Sequence, residues 1–253
     1  PRLAVRRLQL RDCGEGQARV RGAVSPRGEP GAAGQFLPVR EVRGDVGVKS
    51  VTLFLLTTLL TACGDTEASA AVLQNVASAL KSTFGVEKID FLINNAGVGL
   101  HESFATTSTA QFDDMVNIQF KGPFFLTQKA LEVLNDGGGI VNISSGLTRF
   151  SFPGYSTYAS MKGAMETLTK YQAKELGERK IRVNIVAPGA IETDFGGGAV
   201  RDNEQLNQLI ASLTALGRVG LPDDIGSVVA FLCTDDAKWV NGQRLEVSGG
   251  TNL

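Results

Sequence analysis

Residues 89–97 read IDFLINNAG, a mostly apolar run that ends in two asparagines, an alanine and a glycine. A short apolar run bounded by turn-forming residues predicts a buried strand followed by a tight turn. The two amides also have a purely structural interpretation, in which they cap backbone groups of the turn. This segment is the starting point for the fold, because similar segments recur later in the chain.

Strand-like runs of the same kind lie at residues 139–143, 181–186 and 244–247. Helical patterns lie between them, near residues 67–84, 109–135, 156–178 and 222–233. Strands that alternate with helices of this length predict βαβ units. The sequence therefore predicts an α/β fold, a single Rossmann-like domain with a doubly wound, mostly parallel sheet covered on both faces.

The bulk composition excludes several classes of function. The net charge of −1 and the pI of about 6.0 favour neither nucleic acid nor an anionic membrane as a partner. The apolar runs are too short to predict a transmembrane helix. Cys13, Cys63 and Cys233 are scattered and match no metal-ligand spacing, which favours reduced thiols in a cytoplasmic setting and no metal site.

Tyr158 and Lys162 lie within the stretch YSTYASMK, residues 155–162, where a long amphipathic pattern begins. Side chains four residues apart share one face of a helix. A free tyrosine has a pKa of about 10, and a nearby ammonium favours the phenolate. We therefore expect Lys162 to lower the pKa of Tyr158, which would then act as a general acid or base. The alternative is an ordinary exposed pair. The apolar stripe of the same helix is predicted to be Met161, Ala164, Met165, Leu168 and Leu176.

Ser145 ends the segment NISS, residues 142–145, which follows a predicted strand. Ligands of open α/β sheets gather at the carboxyl ends of the strands. The turn at residues 94–97 and the loop that begins at residue 187 belong to the same edge. A hydroxyl at Ser145 is therefore expected to hydrogen-bond the same substrate oxygen as Tyr158.

Together these segments resemble the short-chain dehydrogenase/reductase family. The matching pieces are NNAG at 94–97, NISS at 142–145, YASMK at 158–162, VAPGAIETDF at 186–195 and the glycine-bounded segment at 217–250. The resemblance runs from about Asp65 to the last residue, in order and with the family's spacing. It is nearest to the branch of 3-oxoacyl-[acyl-carrier-protein] reductase-like enzymes, in which many substrates are unassigned.

The resemblance implies a reaction and roles for the residues. The protein would interconvert a carbonyl and an alcohol by hydride transfer with NADP or NAD, NADP being slightly favoured. Tyr158 would be the general acid/base, Lys162 would lower its pKa and hold the nicotinamide ribose, and Ser145 would stabilise the developing oxyanion. The residues implied to contact the cofactor are Asp65, Asn95, Ala96, Gly97, Tyr158, Lys162, Pro188, Gly189, Ile191 and Thr193. The resemblance also implies a homo-oligomer, a tetramer or a dimer, and a small-molecule carbonyl or alcohol as substrate.

One departure from the family lies at Gln119. The family has a catalytic asparagine here that holds a water linked to the lysine, and Gln119 takes its place when residues are counted back from Lys121-Gly122. Glutamine keeps the amide and adds a methylene, so we expect the proton relay to survive. Asn117 lies two residues earlier and is expected to be a structural polar residue.

A larger departure lies in residues 1–64. The family opens with a strand and a glycine-rich turn for the pyrophosphate, and nothing here matches that turn. The nearest approach, at residues 28–34, has the wrong spacing and contains a proline. Residues 1–43 hold nine of the fifteen arginines and no lysine, which favours an irregular segment. A basic arm for nucleic acid is an alternative, although interleaved aromatics are missing.

Residues 1–64 nevertheless have about the length of the missing first β-α-β-α-β of the dinucleotide fold. We hypothesise that a shifted reading frame upstream of about Asp65 explains this segment, with residues 65–253 as the family-like remainder of the same domain. Genomic sequencing across that point tests the hypothesis. Residues 48–64 are predicted to include a buried strand rich in Val, Thr, Leu and Phe.

The missing turn leaves a second function open, a catalytically weak dinucleotide-binding or scaffold protein. His101, Glu102, Phe104 and Phe152 are candidates for the substrate mouth, although a lone loop histidine is usually a surface residue. Residues 196–209 predict either a mobile lid or a flexible surface loop. Trp239 has two interpretations, a core residue or an interface residue.

Overall fold

Parallel strands form the centre of the molecule. The computed structural model describes the backbone of residues 53–55, Lys81 and residues 87–253. Within them one sheet of five strands has its strands side by side in chain order, every neighbour parallel. The strands are β1 Leu53–Leu55, β2 Ile89–Asn94, β3 Leu134–Ile143, β4 Arg182–Pro188 and β5 Arg244–Val247. The predicted parallel α/β architecture is confirmed.

Helices connect the strands as predicted, with changes in extent. They are α1 Thr109–Val116, α2 Gly122–Ala130, α3 Ser156–Glu175, α4 Ala199–Asp202, α5 Glu204–Ser212 and α6 Pro222–Leu232. The single helix predicted over 109–135 is interrupted by a π-helical turn, Asn117–Lys121, and ends early. None of the described helices is long and apolar enough to cross a bilayer. The helix predicted near 67–84 lies, apart from Lys81, outside the described residues, as does most of the strand-rich segment 48–64 around β1.

Strand β3 begins five residues before the predicted start, because glycines let it approach β2. Gly137 has a φ of 78°, a left-handed conformation that favours glycine. A Cβ at Gly138 would lie 2.2 Å from the carbonyl oxygen of Asp90, so a side chain there would force the strands apart. The register between β2 and β3 shifts at this point.

Apolar side chains cover both faces of the sheet, which confirms the doubly wound prediction. One cluster joins the sheet to α2 and α3 and comprises Ile89, Leu92, Ala130, Leu134, Ile140, Ala173, Ile181 and Val183. The other joins it to α6 and comprises Phe91, Ile93, Val141, Val186, Val229, Leu232, Cys233 and Ala237. Burial raises the pKa of the Cys233 thiol to about 12, so this cysteine is an inert core residue.

Helix α3 buries a face that is more polar than predicted. Its buried residues are Thr157, Tyr158, Lys162, Met165, Thr169 and Ala173. Of the predicted apolar stripe only Met165 is fully buried, whereas Met161, Ala164 and Leu168 are half-buried. The buried face of the helix lies about one position away from the predicted stripe, because Tyr158 and Lys162 rather than hydrocarbon side chains occupy its first turns.

A buried amide network ties two strands to two helices. Asn94 Nδ2 donates to Asn142 Oδ1 at 2.8 Å and to Thr127 Oγ1 at 2.9 Å. Asn142 Nδ2 in turn donates to Thr169 Oγ1 at 2.8 Å and to Gln172 Oε1 at 3.1 Å. The first asparagine of the NNAG turn and the asparagine of NISS are therefore structural, and they bond side chains rather than the backbone groups that the capping interpretation predicted. Buried amides satisfied in this way fix the relative positions of the elements that carry them.

Candidate active site

The segments singled out in the sequence leave the sheet at one edge. Asn94 pairs with Asn142, Ile143 with Val186, and Pro188 with Val247. Because these residues end parallel strands, the turn at 95–97, Ser145 and the loop from 189 onward begin at the same carboxyl edge. This is the edge at which open α/β sheets bind ligands.

Tyr158 and Lys162 are both buried on α3 beside this edge, with 7% and 5% of their surfaces exposed. The interpretation as an ordinary exposed pair is therefore wrong. Lys162 Nζ donates to the carbonyl oxygen of Ile143 at 3.0 Å. The same nitrogen lies 5.5 Å from the centre of the Tyr158 ring. The lysine is thus anchored to the end of β3 while it faces the tyrosine.

The predicted effect of Lys162 on its neighbour is wrong for the free protein. Burial raises the pKa of the Tyr158 phenol above its ordinary value, and the nearby Ser145 side chain opposes the rise. Burial also lowers the pKa of Lys162 to about 8. Removal from water disfavours the charged form of each group and is the largest cause of both shifts.

Ser145 is held so that its hydroxyl proton is available. Its Oγ accepts a hydrogen bond from the backbone N–H of Leu147 at 3.2 Å and thereby caps the short 3₁₀ turn Gly146–Thr148. A serine hydroxyl that accepts from the backbone retains its own proton for donation. The Ser145 side chain also lies close enough to Tyr158 to lower the pKa of its phenol, so the structure brings these two predicted catalytic side chains together.

Gln119 is buried within the π-helical turn, with 1% of its surface exposed. Its Nε2 donates to the carbonyl oxygen of Val98, and its Oε1 is buried without a hydrogen-bond partner among the described residues. Gly97 makes room for this amide, since a Cβ at that position would lie 2.8 Å from Nε2. The amide therefore reaches the turn that follows β2.

The predicted cofactor contacts lie along the same edge where they are described. Residues 95–97 follow β2 and are half-buried. At the end of β4, which closes with Pro188, the Gly189 N–H donates to Val247 O at 3.1 Å. Ile191 forms a parallel bridge with Gly220, and Thr193 Oγ1 accepts from the N–H of Phe195 at 3.1 Å. Asp65 lies outside the described residues.

Phe195, to which sequence reasoning gave no role, covers the tyrosine. Its ring centre lies 6.0 Å from that of Tyr158, and a Cβ at Gly99 would lie 3.0 Å from the same ring. Phe195 is followed by three glycines in the left-handed conformation, with φ of 63°, 73° and 80°. The segment predicted to be either a mobile lid or a flexible surface loop is therefore a glycine turn and two short helices, α4 and α5, rather than one long loop.

A groove of about 500 Å³ opens next to these residues. It is lined by His101, Ser103, Phe104, Leu147, Ser151, Phe152, Pro153, Gly154, Tyr155, Ser156 and Ala159. Three of the predicted mouth residues, His101, Phe104 and Phe152, line the groove. Glu102 does not line it, and its N–H donates to the carbonyl oxygen of Gly154, which does, at 2.8 Å. The ring of His101 meets the edge of Tyr155 at 4.9 Å between centres. No cluster of side chains suited to a metal ion occurs among residues 87–253.

The chain belongs to the short-chain dehydrogenase/reductase family, since the family profile described as Enoyl-(Acyl carrier protein) reductase matches residues 62–252. The matched region contains every described residue of the site.

Three relatives define the comparison further. An uncharacterised oxidoreductase of Methylorubrum extorquens is 37% identical over 64% of this chain and 66% of its own length. Versicolorin reductase 1 of Dothistroma septosporum is 36% identical over the same shares of the two chains. The crystal structure of angucycline C-6 ketoreductase LanV with bound NADP is 38% identical, with a TM-score of 0.69 over 73% of this chain and 71% of that one. The chain thus spans just under two thirds of the length of the first two relatives.

Proposed function

We propose that this protein is an NADP-dependent ketoreductase that interconverts a carbonyl and an alcohol. The observation that carries the proposal is the buried pair at the sheet edge, in which Tyr158 faces Lys162 one helical turn away and lies close enough to Ser145 for that side chain to lower its pKa. Reductases among the relatives, one of them with bound NADP, support the same activity.

The described residues fit the nicotinamide end of such a cofactor. An ammonium has three protons, and Lys162 Nζ gives one to Ile143 O, which leaves donors for ribose hydroxyls. The turn at 95–97 and the hydroxyl of Thr193 lie at the same edge, whereas residues 1–64, in which the sequence shows no match to the family's pyrophosphate turn, lie almost entirely outside the described residues. A bound NADPH would supply the hydride.

The side chains then handle the proton. Tyr158 donates its phenol proton to the carbonyl oxygen as that oxygen becomes an alcohol, and Ser145 donates a hydrogen bond to the same oxygen. The raised pKa keeps the resting phenol protonated, which suits reduction. Lys162 stabilises the Tyr158 phenolate that remains, and a proton from solvent then converts this phenolate back to the phenol. Gln119, through its unpaired Oε1, is proposed to hold a water on that route.

A flat, fused-ring aromatic ketone is the proposed class of substrate. Aromatic and apolar side chains line the groove, among them Phe104, Phe152 and Tyr155, and they favour a planar ligand. The relatives named as versicolorin and angucycline reductases support this class.

A homo-oligomer in the cytoplasm completes the proposal. Trp239 and Leu253 are each 95% exposed and Leu216 is 72% exposed, which supports an interface at the carboxyl-terminal end of the chain. The interpretation of Trp239 as a core residue is wrong. Scattered cysteines and NADP-linked reduction support a cytoplasmic setting.

Replacement of Tyr158 by phenylalanine tests the activity. Tyr158→Phe removes the proton donor and keeps the ring, so we expect kcat for NADPH-dependent reduction of fused-ring ketones to fall by about 10²–10⁴-fold. Tyr171→Phe is the matched control, because Tyr171 is 64% exposed at the far end of the same helix. Consumption of NADPH across a panel of aromatic and aliphatic ketones provides the measurement.

Two results would contradict the proposal. Full activity in the Tyr158→Phe protein would remove the role of the phenol. Binding of NADPH, seen as a change in nicotinamide fluorescence, without turnover of any ketone would favour the catalytically weak dinucleotide-binding protein instead.

A further inference from the structure

A chain of alternating charges lies next to Ser145 and the turn that follows it. Its members in order are Glu166 on α3, Arg244 and Glu246 on β5, and Arg149 after the 3₁₀ turn. We propose that Arg244, held by Glu166, is a positioning residue that sets the Ser145 hydroxyl for the reaction. This inference rests on the proposed function, because it concerns the same serine.

Arg244 contacts the backbone of Ser145 and the turn that follows it. Its Nε donates to Glu166 Oε1 at 2.7 Å, and its Nη2 donates to Thr148 Oγ1 at 2.9 Å and to the carbonyl oxygen of Ser145 at 3.4 Å. One guanidinium therefore fixes the main chain at the serine and the side chain three residues later.

One carboxylate oxygen of Glu166 contacts residues on both sides of Ser145. Ser144 Oγ donates to Glu166 Oε1 at 2.7 Å, and Thr148 Oγ1 approaches the same oxygen at 2.6 Å. Thr148 Oγ1 also lies 2.9 Å from Ser145 O. The residues on either side of Ser145 are thus fixed to the helix that carries Tyr158 and Lys162.

This anchoring bears directly on the hydroxyl. The orientation of Ser145 Oγ depends on its bond from the N–H of Leu147, and that N–H belongs to the turn that Arg244 and Thr148 hold. Loss of the anchor lets the turn move relative to α3. A displacement of about 1 Å in a reacting group can cost roughly 10²-fold in rate.

A lysine cannot reproduce this arrangement. Arg244 Nη1 also donates to Glu246 Oε2 at 3.0 Å, so three nitrogens of a planar group serve Glu166, Thr148, Ser145 and Glu246 at once. An ammonium is a compact charge without that fork. Arg244→Lys therefore keeps the charge and removes the geometry.

The matched control is Arg179→Lys. Arg179 is also paired with a carboxylate, Asp136, and also donates to two backbone carbonyls, those of Leu131 and Leu134. It lies at the amino end of β3, the edge opposite to the site. It therefore reports the cost of losing a forked arginine away from Ser145.

We expect Arg244→Lys to lower kcat by about 10–100-fold while the KM for NADPH stays within about twofold, and Arg179→Lys to leave both within about twofold. The decisive measurement is a double-mutant cycle with Ser145→Ala. If Arg244 acts through Ser145, adding Arg244→Lys to Ser145→Ala costs no further activity. A kcat unchanged in Arg244→Lys, or losses that multiply in the double variant, would overturn the proposal.

A readout without turnover separates this inference from the proposed function. Amide hydrogen exchange at Leu147 reports the bond to Ser145 Oγ directly. We expect Arg244→Lys, and not Arg179→Lys, to speed exchange at Leu147, and equal rates in the two variants would overturn the positioning role. A wild-type protein that reduces no ketone would reject the proposed function and leave this exchange comparison to decide the inference.

Discussion

At the scale of single residues, burial decides the chemistry of the site. The same loss of water raises the pKa of Tyr158 and lowers that of Lys162 to about 8, so burial favours the neutral form of each group over its charged form. Unfolded lysine keeps its proton up to about 10.5, whereas the folded group releases it near 8. The unfolded chain therefore binds more protons than the folded chain between these pH values. The contribution of Lys162 to the free energy of unfolding consequently rises as the pH rises through this window.

A pH profile tests the role of Lys162. The ammonium form is needed to stabilise the phenolate that Tyr158 leaves, so we expect kcat/KM for ketone reduction to fall as pH rises through about 8. Lys162→Arg keeps the charge at higher pH, and we expect it to lower the plateau and to move the fall upward.

Lys170→Arg serves as the control for that profile, since Lys170 is exposed on the same helix. We expect it to reproduce the wild-type curve. A wild-type profile that stays flat well above pH 8 would show that the charge of Lys162 has no part in the step.

The sequence predicted which residues would meet, and it failed on how they interact. Ser145, Tyr158 and Lys162 converge because strand ends and helical spacing are local features that a sequence displays. The raised pKa of Tyr158, the contact of Phe195 and the anchoring by Arg244 depend on residues far apart in the chain. Only the phenylalanine had a signal, since it lies inside the motif at 186–195.

At the scale of elements, the continuous apolar period over 109–135 hid two interruptions. The π-helical turn accommodates Gln119, whose long amide must reach Val98, and the glycines at 137–139 convert the end of the predicted helix into the start of β3. Periodicity reports which residues face the core, and it carries little information about a single inserted residue in a helix.

Alanine at two glycines that have equal space around them should have opposite effects on the free energy of unfolding. No atom would lie within 4 Å of a Cβ at Gly163 on α3 or at Gly197 in the turn after Phe195. Gly163→Ala should raise the free energy of unfolding by about 0.5–1 kcal/mol, because alanine loses less entropy in a helix. Gly197→Ala should lower it by about 1 kcal/mol, because its φ of 73° disfavours a side chain.

Urea denaturation of the two variants measures both effects. The substitution is chemically identical, so a difference in sign isolates the backbone conformation. Stabilisation of both variants, or of neither, would contradict the left-handed conformation of Gly197.

At the scale of the whole molecule, one carboxylate ties the sheet to the end of the chain. Arg149 donates to both oxygens of Glu246 and also to the carbonyl oxygens of Thr251 and Asn252. This bond from Arg149 is the main cause that lowers the pKa of Glu246 to about 2, with Ser248 and Arg244 contributing against burial. Strand β5, the turn after Ser145 and the last residues are therefore linked.

The stability of the molecule in acid should depend on Glu246. A carboxylate whose pKa falls from 4.5 to about 2 on folding adds stability above pH 4.5 that is lost as the pH approaches 2. We expect Glu246→Gln to lower the free energy of unfolding by about 1–2 kcal/mol at neutral pH, a range reduced for partial exposure of Arg149. The gap from wild type should shrink below pH 4.5. Denaturation curves across that range check it, and a gap independent of pH would reject the assignment.

The parallel sheet, the covering of both faces and the edge that carries the site followed from alternating strands and helices, which are encoded locally. The order of the strands and the side-chain network next to Ser145 did not, because pairing between distant segments is a property of the folded chain.

The amide network of Asn94 and Asn142 has a consequence for selectivity. The turns that follow β2 and β3 contact the proposed ketone from different sides. Because side-chain hydrogen bonds join the ends of these strands to each other and to α3, the spacing of the two turns is fixed before a ligand binds. Tolerance for differently shaped ketones must then come from the segment that contains Phe195 and the three glycines after it. Substitutions that change the substrate range are expected in that segment first.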